Sequence, residues 1–277
     1  MISVYLNLLM TCVSQYDTVM IGFAPQLVIP LWNWKFKKSD VVIDFFISMY
    51  DTLCCDRKKI RADGFIGRLL HAADAYTLSK ADVIICDTKA HGKYFCEEFK
   101  ADRDKLVTLY LQADSSIYFP RVLEKPEYLK DKFVVLYFGS VLPLQGVDVV
   151  LAAMDLLKDR VSTHFFFIGP ISDKSLLAMR PVSDNIEYIN WLSQERLAEY
   201  IAMSDLCLAG HFCSSIQKAQ RTIPGKAYIY QAMGKPMILG DNPANHELFS
   251  GDDRVSFVEM GNARALANEI LKWSRLE

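Results

Sequence analysis

Short apolar runs alternate with segments of helical period along this 277-residue chain. In its first part DTVMIGF (17–23), DVVIDFF (40–46), DVIICD (82–87) and KLVTLY (105–110) read as strands. Their near-continuous apolar character is that of strands covered on both faces, as in a parallel sheet flanked by helices. Helical period fills 67–81 and 88–99, and more weakly QLVIPLWNWKF (26–36). The opening MISVYLNLLMTCVSQ predicts a buried amphipathic helix. It is too short, and too interrupted by Ser3, Asn7 and Thr11, to span a bilayer. It also lacks the leading basic residues and small-residue cleavage pattern of a secretory leader.

The alternation breaks at 111–131, where Pro120, Pro126 and scattered charges indicate a domain boundary. We therefore divide the chain into domains 1–120 and 121–277. Past the break the pattern restarts with six strand-like runs: 132–139, 163–170, 186–190, 205–210, 236–240 and 255–259. Helices are predicted over 147–159, 193–204, 225–234, a short piece at 244–249, and 263–273. Ser193 fits an N-cap, and Gly234 with Pro236 a stop. Six strands suffice for a complete doubly wound α/β domain. The first half has three or four strands and opens on a helix, so it reads as such a domain without its beginning.

Half of the residues are apolar and the net charge is −2, which supports packed cores and gives no bulk attraction for nucleic acid. The seven cysteines form no CxxC pair, and Cys86 and Cys207 sit in apolar runs. That usage implies reduced thiols in a cytoplasmic compartment, without a disulfide framework or a zinc site.

Ligands of doubly wound domains gather where strands end. Four such stretches stand out. In GSVLPLQGVDVV, Gly139 ends a strand and Gly146 opens a helix, so bare amides there either face a phosphate or form a plain turn. Gly169-Pro170 closes the next strand as a turn or a pocket wall. In HFCSSIQKAQRTIPGKAYIY, Lys218, Arg221 and Lys226 surround a helix start at Pro224, either an anion site or a solvated basic edge. In GDNPANHEL, Asn242, Ala244 and Asn245 offer backbone to a ligand, and Glu247 offers a carboxylate to hydroxyl groups. Of the five histidines only His211, just after a strand, faces a ligand position, and none has metal spacing. The absence of GxGxxG argues against a nicotinamide dehydrogenase.

Taken together, RTIPGKAYIYQAMGKPMILGDNPANHEL resembles the donor-site segment of glycosyltransferase family 4, and more narrowly a subgroup with a KAxRxIPxK helix start. FGSVLPLQGVDVVLAA and NIEYINWLSQERLAEYIAMSDLCLAG are similar to that family's first loop and later elements, and YDTVMIGF and SKADVIICDTKAHGKYF to its first domain. The resemblance implies an α/β protein of GT-B type, with two Rossmann-like domains. The second would bind a nucleotide-diphosphate sugar and the first a glycan or lipid-linked acceptor, with peripheral contact at the inner face of a membrane. It implies retention of configuration, no metal or other cofactor, and basic groups at the departing diphosphate. Those would be Lys218, Arg221 and Lys226, with donor contacts from Gly139, Ser140, Gln145, Gly146, Gly169, His211, Asn242, Ala244 and Glu247.

The chain departs from the family pattern in several places. Arg221 and Ile229 stand where the family has two glutamates, and Ser140 and Gln145 where it has Arg and Lys. Asp44 replaces an acceptor-side histidine. Shortness at both ends adds three further expectations: a fragment, a degenerate non-catalytic binding protein, or half of a two-chain enzyme whose partner completes the first domain.

Overall fold

A computed structural model describes residues 2–275. The chain forms two compact units, one up to Tyr110 and one from Leu111. Residues 111–120 thus belong with the second, and Pro120 lies against Gly234 there.

The first unit runs α1 (Ile2–Met10), β1 (Thr18–Ile21), α2 (Ile29–Trp32), β2 (Asp40–Asp44), α3 (Phe65–Lys80), β3 (Val83–Cys86), α4 (Lys89–Phe99) and β4 (Leu106–Thr108). Its strands form one parallel sheet in the order β1-β2-β3-β4. The core gathers Ile43, Phe45, Ile84 and Phe95, with Phe45 and Phe95 edge to face at 5.0 Å between centroids. The weak helix expected over 26–36 is split into a 3-10 turn, α2 and a second 3-10 turn. Pro30 removes a helical N–H donor from the middle of the stretch. The opening helix forms but is not buried: Val4, Leu6, Leu9 and Met10 are exposed. Its apolar residues encircle it rather than form one stripe. It is attached through Leu8 and through the Tyr5 hydroxyl, which donates to the Leu27 carbonyl at 2.6 Å.

The second unit runs β5 (Phe133–Phe138), α5 (Val147–Leu157), β6 (Thr163–Ile168), α6 (Lys174–Met179), β7 (Ile186–Ile189), α7 (Gln194–Met203), β8 (Leu206–Gly210), α8 (Gly225–Ala232), β9 (Met237–Gly240), β10 (Val255–Val258) and α9 (Ala263–Trp273). All six expected strands are present, and they pair in parallel in the order β10-β9-β8-β5-β6-β7. The sheet is buried on both faces, which is why its strands read as unbroken apolar runs. Phe165 and Phe167 join the cluster under α5 and α9, while Phe166 meets Tyr200 of α7 at 4.9 Å. Ser193 caps α7 by accepting the Arg196 N–H, as its position predicts. Helix α6 was not foreseen; Asp173 starts it by accepting the N–H groups of Ser175 and Leu176.

This strand order carries the chain outward from β5 in one direction and then, through β8, in the other. The crevice where the direction reverses lies between the ends of β5 and β8. No helix among the described residues is long and apolar enough to cross a membrane.

Candidate functional site

The loops around that crevice are pressed together through backbone. The Gly139 N–H donates to the Ile168 carbonyl at 2.9 Å, and the Gly169 N–H to Ile189 at 2.8 Å, so the ends of β5, β6 and β7 form a stepped ladder. A Cβ on Gly169 would stand 2.2 Å from the Gly139 carbonyl oxygen. Gly146 opens α5 at φ +66°, and a Cβ there would lie 2.5 Å from the backbone of Phe212 and Cys213. The Phe212 N–H donates back to the Gln145 carbonyl at 3.2 Å. Left-handed geometry and contact with backbone together require glycine at 146. Gly146→Ala is therefore expected to destabilise the second unit by at least about 1 kcal/mol in urea unfolding.

Lys226, in the first turn of α8, lies under these loops. It is only 6% exposed, its Nζ sits 3.8 Å from the centroid of the Tyr137 ring, and it has no hydrogen-bond partner among the described residues. Burial holds its pKa well below the usual lysine range. A side chain at Gly139 would come within 3.2 Å of Nζ, so this glycine leaves the ammonium its way toward the crevice.

His211, directly after β8, is likewise buried. Its Nε2 is 3.3 Å from the Thr222 hydroxyl, which also lies 3.1 Å from the Lys218 carbonyl. The hydroxyl has one proton, and giving it to the carbonyl makes Nε2–H the donor to Thr222. Nδ1 then carries a bare lone pair, and it has no partner among the described residues. Burial, reinforced by the positive charges of Lys226 and Lys218, pushes the His211 pKa down to about 3.

The structure thus draws together Gly139, Gly146, Gly169, His211, Lys218 and Lys226 from separate parts of the sequence. Gln145 adds a buried Oε1 with no hydrogen-bond partner among the described residues. Asn242 is spent on structure: it donates to the Ala219 carbonyl and accepts the Asn245 N–H. Ala244 is fully buried. Ser140 is exposed beyond Gly139, and Arg221 and Glu247 are half-buried at the two flanking 3-10 turns.

Three participants were not foreseen. Thr222 anchors His211, Tyr137 buries a hydroxyl with no hydrogen-bond partner among the described residues, and Tyr230 buries its hydroxyl beside the Phe138 backbone. The one signal for Tyr137 was a hydroxyl within two residues of a strand-ending glycine. In the first unit Asp44 ends β2, and burial, with Asp87 adding to it, raises its pKa.

A family profile described as glycosyl transferases group 1 matches residues 132–275, essentially β5 to the end of α9. The chain belongs to this glycosyltransferase family. The chain is 26% identical to chitobiosyldiphosphodolichol beta-mannosyltransferase of Candida albicans, over 61% of its own length and 40% of that relative's. It therefore spans well under half of the curated relative it matches.

Among solved structures, Anabaena HepE in complex with UDP superposes at a TM-score of 0.70 with 13% identity, covering 98% of this chain and 72% of that one. Sucrose-phosphate synthase from Thermosynechococcus elongatus gives 0.69 at 14% identity, covering 94% and 66%. A glycosyltransferase of Rickettsia africae gives 0.68 at 16%, covering 98% and 70%. At such identities these likenesses establish the fold, which is α/β of the GT-B type.

Proposed function

We propose that the crevice between β5 and β8 binds the diphosphate of a nucleotide sugar, and that the protein transfers the sugar to a glycan or lipid-linked acceptor with retention of configuration. One observation carries the reading: Lys226 keeps an amine buried, with no hydrogen-bond partner among the described residues, at the switch point of a doubly wound sheet. An uncompensated buried amine is costly, and the geometry becomes favourable once an anion supplies the missing partner. The four-carbon stem of lysine lets the ammonium swing past Gly139 to meet it.

Lys218 adds positive potential from the neighbouring turn, and α8 directs the positive end of its dipole the same way. As the sugar–phosphate bond breaks, charge accumulates on the diphosphate, and these groups stabilise it there. No metal is needed for this step. The solved complexes of HepE with UDP and with UDP-glucose support a donor of this class. Arg221 and Glu247 are assigned to the diphosphate and the sugar hydroxyls respectively. Peripheral contact with a membrane surface belongs to the same reading when the acceptor is lipid-linked.

Calorimetric titration of the full chain with UDP, ADP, GDP and pyrophosphate tests the donor site. Saturable binding of at least one nucleoside diphosphate is the expected result. Absence of any binding at millimolar ligand would sink the reading. Proton NMR of the product formed from a binding donor then reports the anomeric outcome.

A further inference from the structure

We propose that the crevice takes up a proton from solvent as the diphosphate arrives, and that the amine of Lys226 receives it. The inference rests on the diphosphate reading above and adds a change of charge at that site. An ammonium inside a protein needs an acceptor or a counter-charge, because burial strips away the water that would solvate it. Lys226 Nζ is buried with no hydrogen-bond acceptor among the described residues, and no carboxylate acts on it. Lysine in such a place can shed its charge, which an arginine could not do.

The titratable groups around it do not hold the charge in place. Lys218, in the turn Gln217–Gln220, acts with Lys226 on the same imidazole, and its own charge opposes a second cation. His211, directly after β8, is neutral far above its pKa of about 3. Tyr137 of β5 and Tyr230, one turn along α8, are phenols that burial keeps protonated. Only the face of the Tyr137 ring, 3.8 Å from Nζ, favours the ammonium, and it offers no lone pair to a proton. Burial therefore wins, and the amine loses its proton well below the usual lysine range. A bound diphosphate supplies both the counter-charge and the acceptor oxygens. The nitrogen lone pair then takes a proton from solvent, no other bond changes, and the proton returns to solvent when the nucleoside diphosphate leaves. The liganded protein holds more protons than the unliganded one. Affinity consequently falls as pH rises between the two pKa values of Lys226, by up to about tenfold per pH unit.

The test is calorimetric titration of the full chain with UDP, ADP and GDP at pH 8, in HEPES and in Tris, two buffers with different heats of ionisation. The terminal phosphate, with a pKa near 6, is ionised at that pH and contributes no proton of its own. For a nucleotide that binds, the two enthalpies should differ by the amount that corresponds to uptake of at least about half a proton per ligand. A second measurement follows the amine directly. In protein labelled with 13C-lysine, the Lys226 Cε signal, assigned by its loss in Lys226→Met, should show a neutral amine at pH 8 without added ligand and an ammonium at saturating nucleotide. Equal enthalpies in the two buffers would overturn the proposal, as would an ammonium signal at pH 8 without ligand. If none of the three nucleotides binds, the diphosphate site itself is refuted. Saturable binding without proton uptake refutes the change of charge alone.

Discussion

Lys226→Met is expected to make the protein more stable in the absence of added ligand while weakening nucleoside-diphosphate binding by about 1–3 kcal/mol, the range for a hydrogen bond to a charged group and the cost of losing it. The two effects share one cause. The amine is 6% exposed with no hydrogen-bond partner among the described residues, its nearest aromatic neighbour being the Tyr137 ring. Methionine has similar length, fills the same space and removes the stranded polar group. A gain of about 1–2 kcal/mol in urea unfolding follows from the usual penalty for an unsatisfied buried group. Opposite signs in stability and binding mark a residue kept for function at the expense of the fold. A destabilised Lys226→Met protein would show instead that the lysine supports the structure, and an unchanged affinity would remove it from the site.

Acidification should destabilise the second unit through His211. The folded-state pKa is about 3, against 6.5 for a free histidine. Between those values the unfolded chain binds a proton that the folded protein refuses, so stability rises with pH across the window. The contribution is complete above pH 6.5 and is lost as pH falls, at about 1.4 kcal/mol per unit, or about 2 kcal/mol by pH 5. The charges acting on this imidazole, Lys218 and Lys226, are both positive and oppose its protonation, as burial does. His164 has a lowered pKa of its own and contributes with the same sign. The difference between wild type and His211→Gln isolates the His211 share. A His211→Gln protein with the same acid slope as wild type would show that the imidazole accepts a proton without cost.

Much of the second unit was legible because a parallel sheet buried on both faces writes itself as unbroken apolar runs. FVVLYF and THFFFI needed only their bounding turns to be placed. The site was legible for a related reason. Once the strands are parallel, the loops after them are the ligand loops, and Gly139, Gly146 and Lys226 fall there. Tyr137 was not legible, because within an apolar strand a tyrosine reads as core; only the fold shows that Lys226 lies on its ring. Thr222 looked like part of a polar loop until β8 and the following turn brought it to His211. Six residues of α6 were too few to display a helical period. The exposure of α1 could not be inferred from its apolar content, since the neighbours that could cover a helix are not encoded within it.

The loops at the carboxyl end of the second sheet are tied to one another by hydrogen bonds. Asn245 spans the carbonyls of Gly210 and Gly240, Asn242 reaches Ala219, and Phe212 is bonded to Gln145. Loops commonly open first in native-state hydrogen exchange. Here the Phe212 and Asn245 amides, both engaged in these ties, should exchange on the slow timescale of the neighbouring strands. Ligand arrival would then slow them little further, and the entropy of ordering the loops would already have been spent during folding. The expected signature is a mechanically quiet cradle with one moving part, the side chain of Lys226.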